Sequence, residues 1–119
     1  MIERADVNDF VAETEDVERE DVLIERADVN DDVDVLCERG AASNSNSGNS
    51  AYLRYGRALQ VEYRAANRTR KKELINQVFE FVRGRGGRFL KRIEKGSNLW
   101  FEINEREAKI KIGQLLRTI

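Results

Sequence analysis

The C-terminal third of the chain carries the pattern that decides the fold. Residues 83–117 read RGRGGRFLKRIEKGSNLWFEINEREAKIKIGQLLR. Apolar and polar residues alternate along 88–103 on both sides of a Gly-containing turn, which predicts a β-hairpin. Asn104, with Glu107 three residues later, resembles a helix capping box and predicts a last helix over 104–118.

Two helices are predicted upstream of this hairpin. In 51–66, apolar residues recur every three or four positions, and Asn49 or Ser50 can cap the helix. A second helix with the same period is predicted over 69–83. Asn67 or Thr69 is expected to open it, and Gly84 is placed to end it in the left-handed conformation. The expected fold class is therefore α+β, a small domain of two helices, a β-hairpin and a C-terminal helix.

The aromatic residues follow helix or strand periodicity, so packing in a core is favoured over stacking on nucleic-acid bases. Trp100 is the exception, because it faces away from Leu99 and Phe101 on its strand. Either a helix covers it or it lies on the surface. Gly56, in the middle of the first helix, costs about 1 kcal/mol relative to alanine. We expect it to admit a close neighbour.

An acidic, repetitive segment precedes the predicted domain. The octapeptide IERADVND occurs at 2–9 and again at 24–31. High net charge with few large apolar side chains is typical of disorder, so residues 1–33 are predicted to form an acidic, largely disordered arm. The small polar stretch 40–50 has the composition of a flexible connector.

The formal net charge of −1 is the sum of two large and opposite charges. Residues 1–38 contain 15 acidic and 3 basic residues, whereas residues 39–119 contain 18 basic and 7 acidic residues. A basic body attracts polyanions, either DNA or RNA or an oppositely charged protein. The alternative interpretation is that the arm only neutralises and solubilises the body.

Basic residues gather in two places. Those around the hairpin are Arg83, Arg85, Arg88, Lys91 and Arg92, and those at the start of the second helix are Arg70, Lys71 and Lys72. Guanidinium and ammonium groups bind phosphate without regard to base sequence, and Gly84, Gly86 and Gly87 would let backbone N–H groups approach it. The competing interpretation is that the arginines are merely solvated and the glycines make a turn.

Several classes of chemistry are excluded by residues that the sequence lacks. It has no His, so a Ser-His or Cys-His nucleophile pair and a His-ligated zinc are ruled out. Cys37 is the one cysteine, which fits a reducing, intracellular compartment, nuclear or cytoplasmic. No phosphate loop, dinucleotide fingerprint or paired-cysteine metal motif occurs. We expect no enzyme activity, no catalytic residue, no cofactor and no metal, and neither a membrane span nor an export signal.

Part of the chain resembles an uncharacterised family of domains of unknown function that is abundant in diatoms and related algae. The resemblance is carried by Gly86, Gly87, Arg88, Phe89 and Leu90, by Trp100, and by Leu116 and Arg117. Upstream it is carried by Asp34, Val35 and Leu36, and by Gly48 and Asn49, preceded by Asn46 and Ser47 where the family has His and Pro. The resemblance implies one domain over 34–119 that starts with a loop over 34–50. No established activity comes with the family.

These observations predict a non-enzymatic binding module that contacts nucleic acid or chromatin through a basic hairpin surface, with the acidic arm lowering the affinity. Two alternatives stay open. One is a protein–protein interaction module in which the acidic repeat docks on a basic partner or on another copy. The other is a degenerate family copy without activity.

Overall fold

The computed structural model describes residues 22–38 and 46–118, which fold into four α-helices and a four-stranded sheet. The strands are β1 (Ile24–Glu25), β2 (Val35–Leu36), β3 (Phe89–Arg92) and β4 (Leu99–Glu102). The helices are α1 (Ser47–Ala58), α2 (Gln60–Ala65), α3 (Arg68–Gly84) and α4 (Glu105–Arg117), and a 3-10 turn spans Arg26–Asp28. The predicted α+β class, the hairpin and the C-terminal helix are confirmed.

The strand order in the sheet is β1-β4-β3-β2. β3 and β4 pair antiparallel and are the predicted hairpin. β2 lies parallel to β3, with Val35 opposite Phe89, and the helices α1, α2 and α3 form the crossover between them. β1 pairs antiparallel with the other edge of the hairpin, where Ile24 lies opposite Trp100. The hairpin is therefore the centre of the sheet.

One face of the sheet packs against the helices and forms the main core. Phe89 lies at its centre, edge-on to Tyr52 at 5.7 Å and stacked on Phe79 at 5.9 Å between ring centroids. The residues that the helices bury completely include Leu74, Val78, Ile112 and Leu116. Core packing is thus confirmed for the helical aromatic residues Tyr52 and Tyr63, both of which are buried.

The opposite face of the sheet carries a second, smaller core around Trp100. Side chains alternate along a strand, so Trp100 points away from the helices that Phe101 contacts. It is 1% exposed and clusters with Val29, Leu36 and Leu90, and Ile24 packs against the same cluster. The cover over Trp100 is therefore the chain segment at 24–29 and not one of the four α-helices.

The prediction of a disordered arm needs a correction for residues 24–31. This second copy of the octapeptide contributes β1 and the buried Val29. Composition averages charge over the whole segment, whereas Ile24 and Val29 are spaced so that both reach the second core. Residues 1–21, which include the first copy, lie outside the described residues, and so do residues 39–45 of the predicted connector.

The loop that joins β2 to α1 differs from the prediction at its helical end. α1 begins at Ser47, because the side chain of Asn46 accepts a hydrogen bond from Asn49 N at 2.7 Å, so neither Asn49 nor Ser50 is the cap. The Asn49 amide then binds both backbone groups of Leu36, accepting from its N–H at 2.7 Å and donating to its carbonyl at 3.0 Å. Residues 46–50 thus form a helical turn fixed to β2 rather than a flexible connector.

The predicted helix over 51–66 is divided into α1 and α2 at Leu59. The N–H of Leu59 donates to the carbonyl of Gly56, three residues back, at 2.9 Å, which tightens the turn between the two helices. A Cβ at Gly56 would overlap Cδ2 of Leu115 and lie 3.1 Å from its Cγ. The expectation that Gly56 admits a close neighbour is confirmed.

The asparagine caps of the other two long helices are confirmed. The Asn67 side chain accepts from Arg70 N, and the Asn104 side chain accepts from Glu107 N, each at 2.8 Å. These bonds satisfy backbone N–H groups that have no partner within their helices.

The left-handed residue that ends α3 is Gly86, two residues later than predicted. Gly84 is still helical, and Gly86 takes the left-handed conformation with φ 85°. The N–H of Gly86 donates to the Arg83 carbonyl and that of Gly87 donates to the Val82 carbonyl, each at 2.9 Å. This is a Schellman motif, in which the residue after the cap must adopt a positive φ that glycine accepts most easily.

Candidate nucleic-acid interface

Arg88, immediately before β3, is held by the buried carboxylate of Asp34. Its Nη2 donates to Oδ2 and its backbone N donates to Oδ1, both at 2.8 Å. The side chain of Asp34 is 1% exposed and that of Arg88 is 32% exposed. The hydrogen bond with Asp34 raises the pKa of the Arg88 guanidinium. Arg88 therefore compensates a buried charge, and turning it toward a phosphate would leave Asp34 without its cation.

Arg92, further along β3, is held by Glu38 in a two-bond ion pair. Its Nε donates to Oε1 at 2.9 Å and its Nη2 donates to Oε2 at 3.1 Å. The guanidinium also lies over the ring of Trp100, 4.6 Å from the centroid. The hydrogen bond from Arg92 lowers the pKa of Glu38. Arg92 thus joins the end of β2 to the hairpin.

Arg83 and Lys91 form more exposed pairs. Arg83 Nη1 lies 2.6 Å from Glu102 Oε2, and Lys91 Nζ lies 3.8 Å from Glu107 Oε2. About half of each basic side chain is exposed to solvent. Exposed ion pairs contribute only about 0–1 kcal/mol, so both pairs can open to admit another anion.

Arg85 and the glycines beside it serve the end of α3. The guanidinium of Arg85 lies over the ring of Phe81, 5.2 Å from the centroid, and donates to the carbonyl of Asp32 at 3.2 Å. The N–H groups of Gly86 and Gly87 already donate to helix carbonyls, so neither is free to donate to a phosphate as the sequence predicted. The hairpin bases are therefore largely engaged with the chain's own oxygens.

The three bases at the start of α3 differ from one another. Arg70 binds two carboxylates, with Nη2 2.7 Å from Glu62 Oε2 and Nη1 3.0 Å from Glu73 Oε1. The hydrogen bond with Glu62 raises the pKa of Arg70. Lys71 Nζ lies over the ring of Tyr63, 5.3 Å from the centroid, and Lys72 is exposed.

A second set of bases has no carboxylate to bind. Between residues 46 and 79 the only carboxylates are Glu62 and Glu73, and both bind Arg70. Six bases of this stretch form no ion pair within 22–38 and 46–118, and we refer to them together as the helical basic surface: Arg54, Arg57, Arg64, Arg68, Lys71 and Lys72. Its charge is therefore uncompensated locally.

The sequence analysis missed four members of this surface, Arg54, Arg57, Arg64 and Arg68. A count of the carboxylates along 46–79 would have indicated them. All four are exposed in the structure. Nucleic-acid binding by the eight residues singled out from the sequence stays a prediction, with Lys71 and Lys72 common to both sets.

Cys37, immediately after β2, is a buried thiol. Burial raises its pKa to about 12, because the thiolate would lose its hydration. At about pH 8 only roughly one molecule in ten thousand then carries the reactive thiolate. We expect Cys37 in the folded protein to resist a thiol-specific disulfide reagent and to react rapidly once urea unfolds the chain. Stoichiometric labelling of the folded protein within the mixing time would contradict this expectation.

Comparison with protein families assigns most of the chain to one family. A family model described as Domain of unknown function (DUF6824) matches residues 34–118. The chain belongs to this family. No curated protein and no solved structure matches the chain. The DUF6824 domain starts at Asp34, so β1 and the 3-10 turn, which lie at 24–28, are outside the matched residues.

Two further findings concern the described part of the DUF6824 protein. None of its helices combines the length and the apolar character that a membrane span requires. Among the same residues, no three His, Cys, Asp or Glu side chains lie close enough together to hold a metal ion.

Proposed function

We propose that the chain is a non-enzymatic module that binds nucleic acid through phosphate contacts made by the helical basic surface. The observation that carries the proposal is the distribution of carboxylates. Along 46–79, Arg70 alone occupies both acidic groups, and six cations are left facing solvent or an aromatic ring. Such a surface attracts a polyanion and releases its counterions on binding.

The position of three of these cations supports the same proposal. Arg68 and Lys71 lie in the first turn of α3, where no acidic residue is present, and Lys72 follows them. The N-terminus of a helix carries a partial positive charge, so cations there are destabilised. A phosphate beside them would relieve this repulsion.

The hairpin bases take a secondary part in the proposed contact. Arg83 and Lys91 can open their exposed pairs toward a phosphate at small cost. Arg88 cannot do so cheaply, since its departure would leave Asp34 buried and unpaired.

Charge removal on the full-length chain tests the proposal. In the variant Arg54→Ala, Arg57→Ala, Arg68→Ala, Lys72→Ala, four exposed cations of the helical basic surface are lost. We expect its affinity for a labelled DNA duplex or RNA single strand, measured by fluorescence anisotropy, to fall at least tenfold. Between about 50 and 200 mM salt, the slope of log affinity against log salt for the duplex should become shallower by about 3 to 4.

A matched variant separates a binding surface from net charge alone. Lys95→Ala, Arg106→Ala, Lys111→Ala, Arg117→Ala also removes four cations that form no ion pair within the described ranges 22–38 and 46–118. It should bind nearly as well as the wild type. Equal losses in the two variants, or wild-type binding that is absent or independent of salt, would rule out the proposed surface.

A further inference from the structure

The second core ends in a groove that a segment from outside the matched family residues fills. The walls of the groove are Leu36, Leu90 and Trp100, and its rim is the outer edge of β4. Ile24 and Val29 occupy it, and β1 pairs with β4 through Ile24 opposite Trp100. The arrangement is β-strand addition, in which main-chain hydrogen bonds give affinity and pockets for side chains give specificity.

The contacts that this segment makes come from within one copy of the octapeptide. Its apolar contacts use Ile24 and Val29, and its main-chain contacts include Arg26 N to the Asn98 carbonyl at 3.1 Å and the Asp28 carbonyl to Arg88 Nη2 at 3.3 Å. Any segment that adopts the same backbone shape can form such main-chain contacts, whatever its side chains.

The shape of the segment is also fixed from within the copy. Arg26 donates from Nη1 to Asp31 Oδ2 at 3.2 Å and from Nη2 to Oδ1 at 2.9 Å. These two residues are the third and the last of the octapeptide. The pair lowers the pKa of Asp31, through the hydrogen bond from Arg26. An octapeptide with the same sequence can therefore form the same internal ion pair, which fixes its shape.

The chain contains that sequence twice. Residues 2–9 repeat residues 24–31 without a change, so Ile2, Val7, Arg4 and Asp9 correspond to Ile24, Val29, Arg26 and Asp31. We propose that the groove is a docking site for the octapeptide and that copy 1 (2–9) of the same chain is its second occupant, able to replace copy 2 (24–31).

The length of chain between each copy and Asp34 determines which copy occupies the groove in the wild type. Copy 2 is joined to Asp34 by two residues, whereas 24 residues separate copy 1 from Asp34. The entropy of closing the longer loop lowers the effective concentration of copy 1 by roughly 30-fold. Copy 2 therefore fills the groove, and copy 1 takes its place when copy 2 is withdrawn, which shifts the docked segment by 22 residues.

Trp100 reports the occupant directly, because it is the one tryptophan of the chain and forms one wall of the groove. The copy-2 variant is Ile24→Asp, Val29→Asp, and its matched control is the copy-1 variant Ile2→Asp, Val7→Asp. A third chain carries all four changes. We expect the emission of Trp100 in both double variants to stay close to that of the wild type, and the quadruple variant to show a red shift and several-fold stronger quenching by acrylamide.

If the copy-2 variant is as red-shifted and as easily quenched as the quadruple variant, copy 1 does not dock and the proposal is wrong. If the quadruple variant keeps the wild-type emission, the octapeptide does not cover Trp100 and the proposal is equally wrong. If the protection of Trp100 from acrylamide in the copy-2 variant rises with protein concentration, copy 1 docks from a second chain and the intramolecular assignment is wrong.

A peptide titration keeps the proposal testable if the quadruple variant folds poorly. Synthetic IERADVND, added in excess, should raise the melting temperature of that variant and shift its Trp100 emission to the blue, because a ligand that binds only the folded state stabilises it by mass action. The peptide with Asp in place of Ile and Val should do neither. Equal effects from both peptides, or none from either, would contradict the docking site.

Discussion

Replacing Asp34 by alanine is expected to lower the free energy of unfolding by about 3–5 kcal/mol. Small domains are stable by about 5–15 kcal/mol, so this one change would remove a large share of the total. Urea denaturation, followed by far-UV circular dichroism and extrapolated to zero denaturant, measures the loss.

The reason lies in the number of donors that converge on one buried carboxylate. Asp34 Oδ2 accepts from Asn30 N and from Arg88 Nη2, and Oδ1 accepts from Arg88 N, each at 2.8 Å. Alanine would leave two main-chain N–H groups and a part-buried guanidinium without their acceptor. An unsatisfied buried donor costs about 1–3 kcal/mol.

Changing the partner instead of the acceptor provides the control. Arg88→Met keeps the aliphatic part of the side chain and both main-chain bonds to Asp34, and a third of the arginine side chain is already in contact with water. It also leaves a buried carboxylate without a cation, so we expect Arg88→Met to be destabilising as well. If Asp34→Ala costs less than 1 kcal/mol or so, the carboxylate does not organise this junction.

Local patterns were enough to predict the elements that depend on near neighbours. The Asn67 and Asn104 caps and the hairpin follow from residues at most a few positions apart, and the structure has them. β1 could not be predicted in this way. Its two residues become a strand only because they pair with the edge of β4, where Ile24 lies opposite Trp100, 76 positions away.

The fate of the hairpin bases was hidden for the same reason. Arg88 and Arg92 each bind a carboxylate 54 positions away, on either side of the short strand β2, which the hairpin contacts only after folding. A charge count treats these arginines as free. By contrast, the helical basic surface depends on a local shortage of carboxylates, which the sequence displays.

The residues that carry the family resemblance meet at one junction of the fold. Asp34 binds Arg88, Asn49 binds both backbone groups of Leu36, and Gly48 donates to the carbonyl of Asp31 at 2.8 Å. These contacts join the first strand of the DUF6824 domain to α1 and to the hairpin. Their chemistry is explained by folding alone, so the motif identifies the architecture and the function must be sought on other surfaces.

Gly48→Ala is expected to be as damaging as the loss of Asp34, with a loss of about 3 kcal/mol or more in the free energy of unfolding. A Cβ at Gly48 would overlap the carbonyl oxygen of Asp34 and lie 2.8 Å from Val33 C and 2.9 Å from Asp34 C. All three atoms belong to the backbone, so no change of rotamer can make room. Either α1 must move away from β2 or the chain at Val33 must shift, and both movements break the bonds around Asp34.

Gly84→Ala is the matched control for this prediction. Gly84 is also helical, but nothing lies within 4 Å of the position that its Cβ would take. Alanine is favoured over glycine in a helix by about 1 kcal/mol, and we expect a gain of 0.5–1 kcal/mol or so in stability. Opposite signs for the two substitutions, measured in one series of urea melts, would show that contact with the Asp34 backbone and not helix propensity requires glycine at position 48. Losses of similar size at both positions, or a neutral Gly48→Ala, would mean that α1 does not pack on the β2 backbone as closely as these distances require.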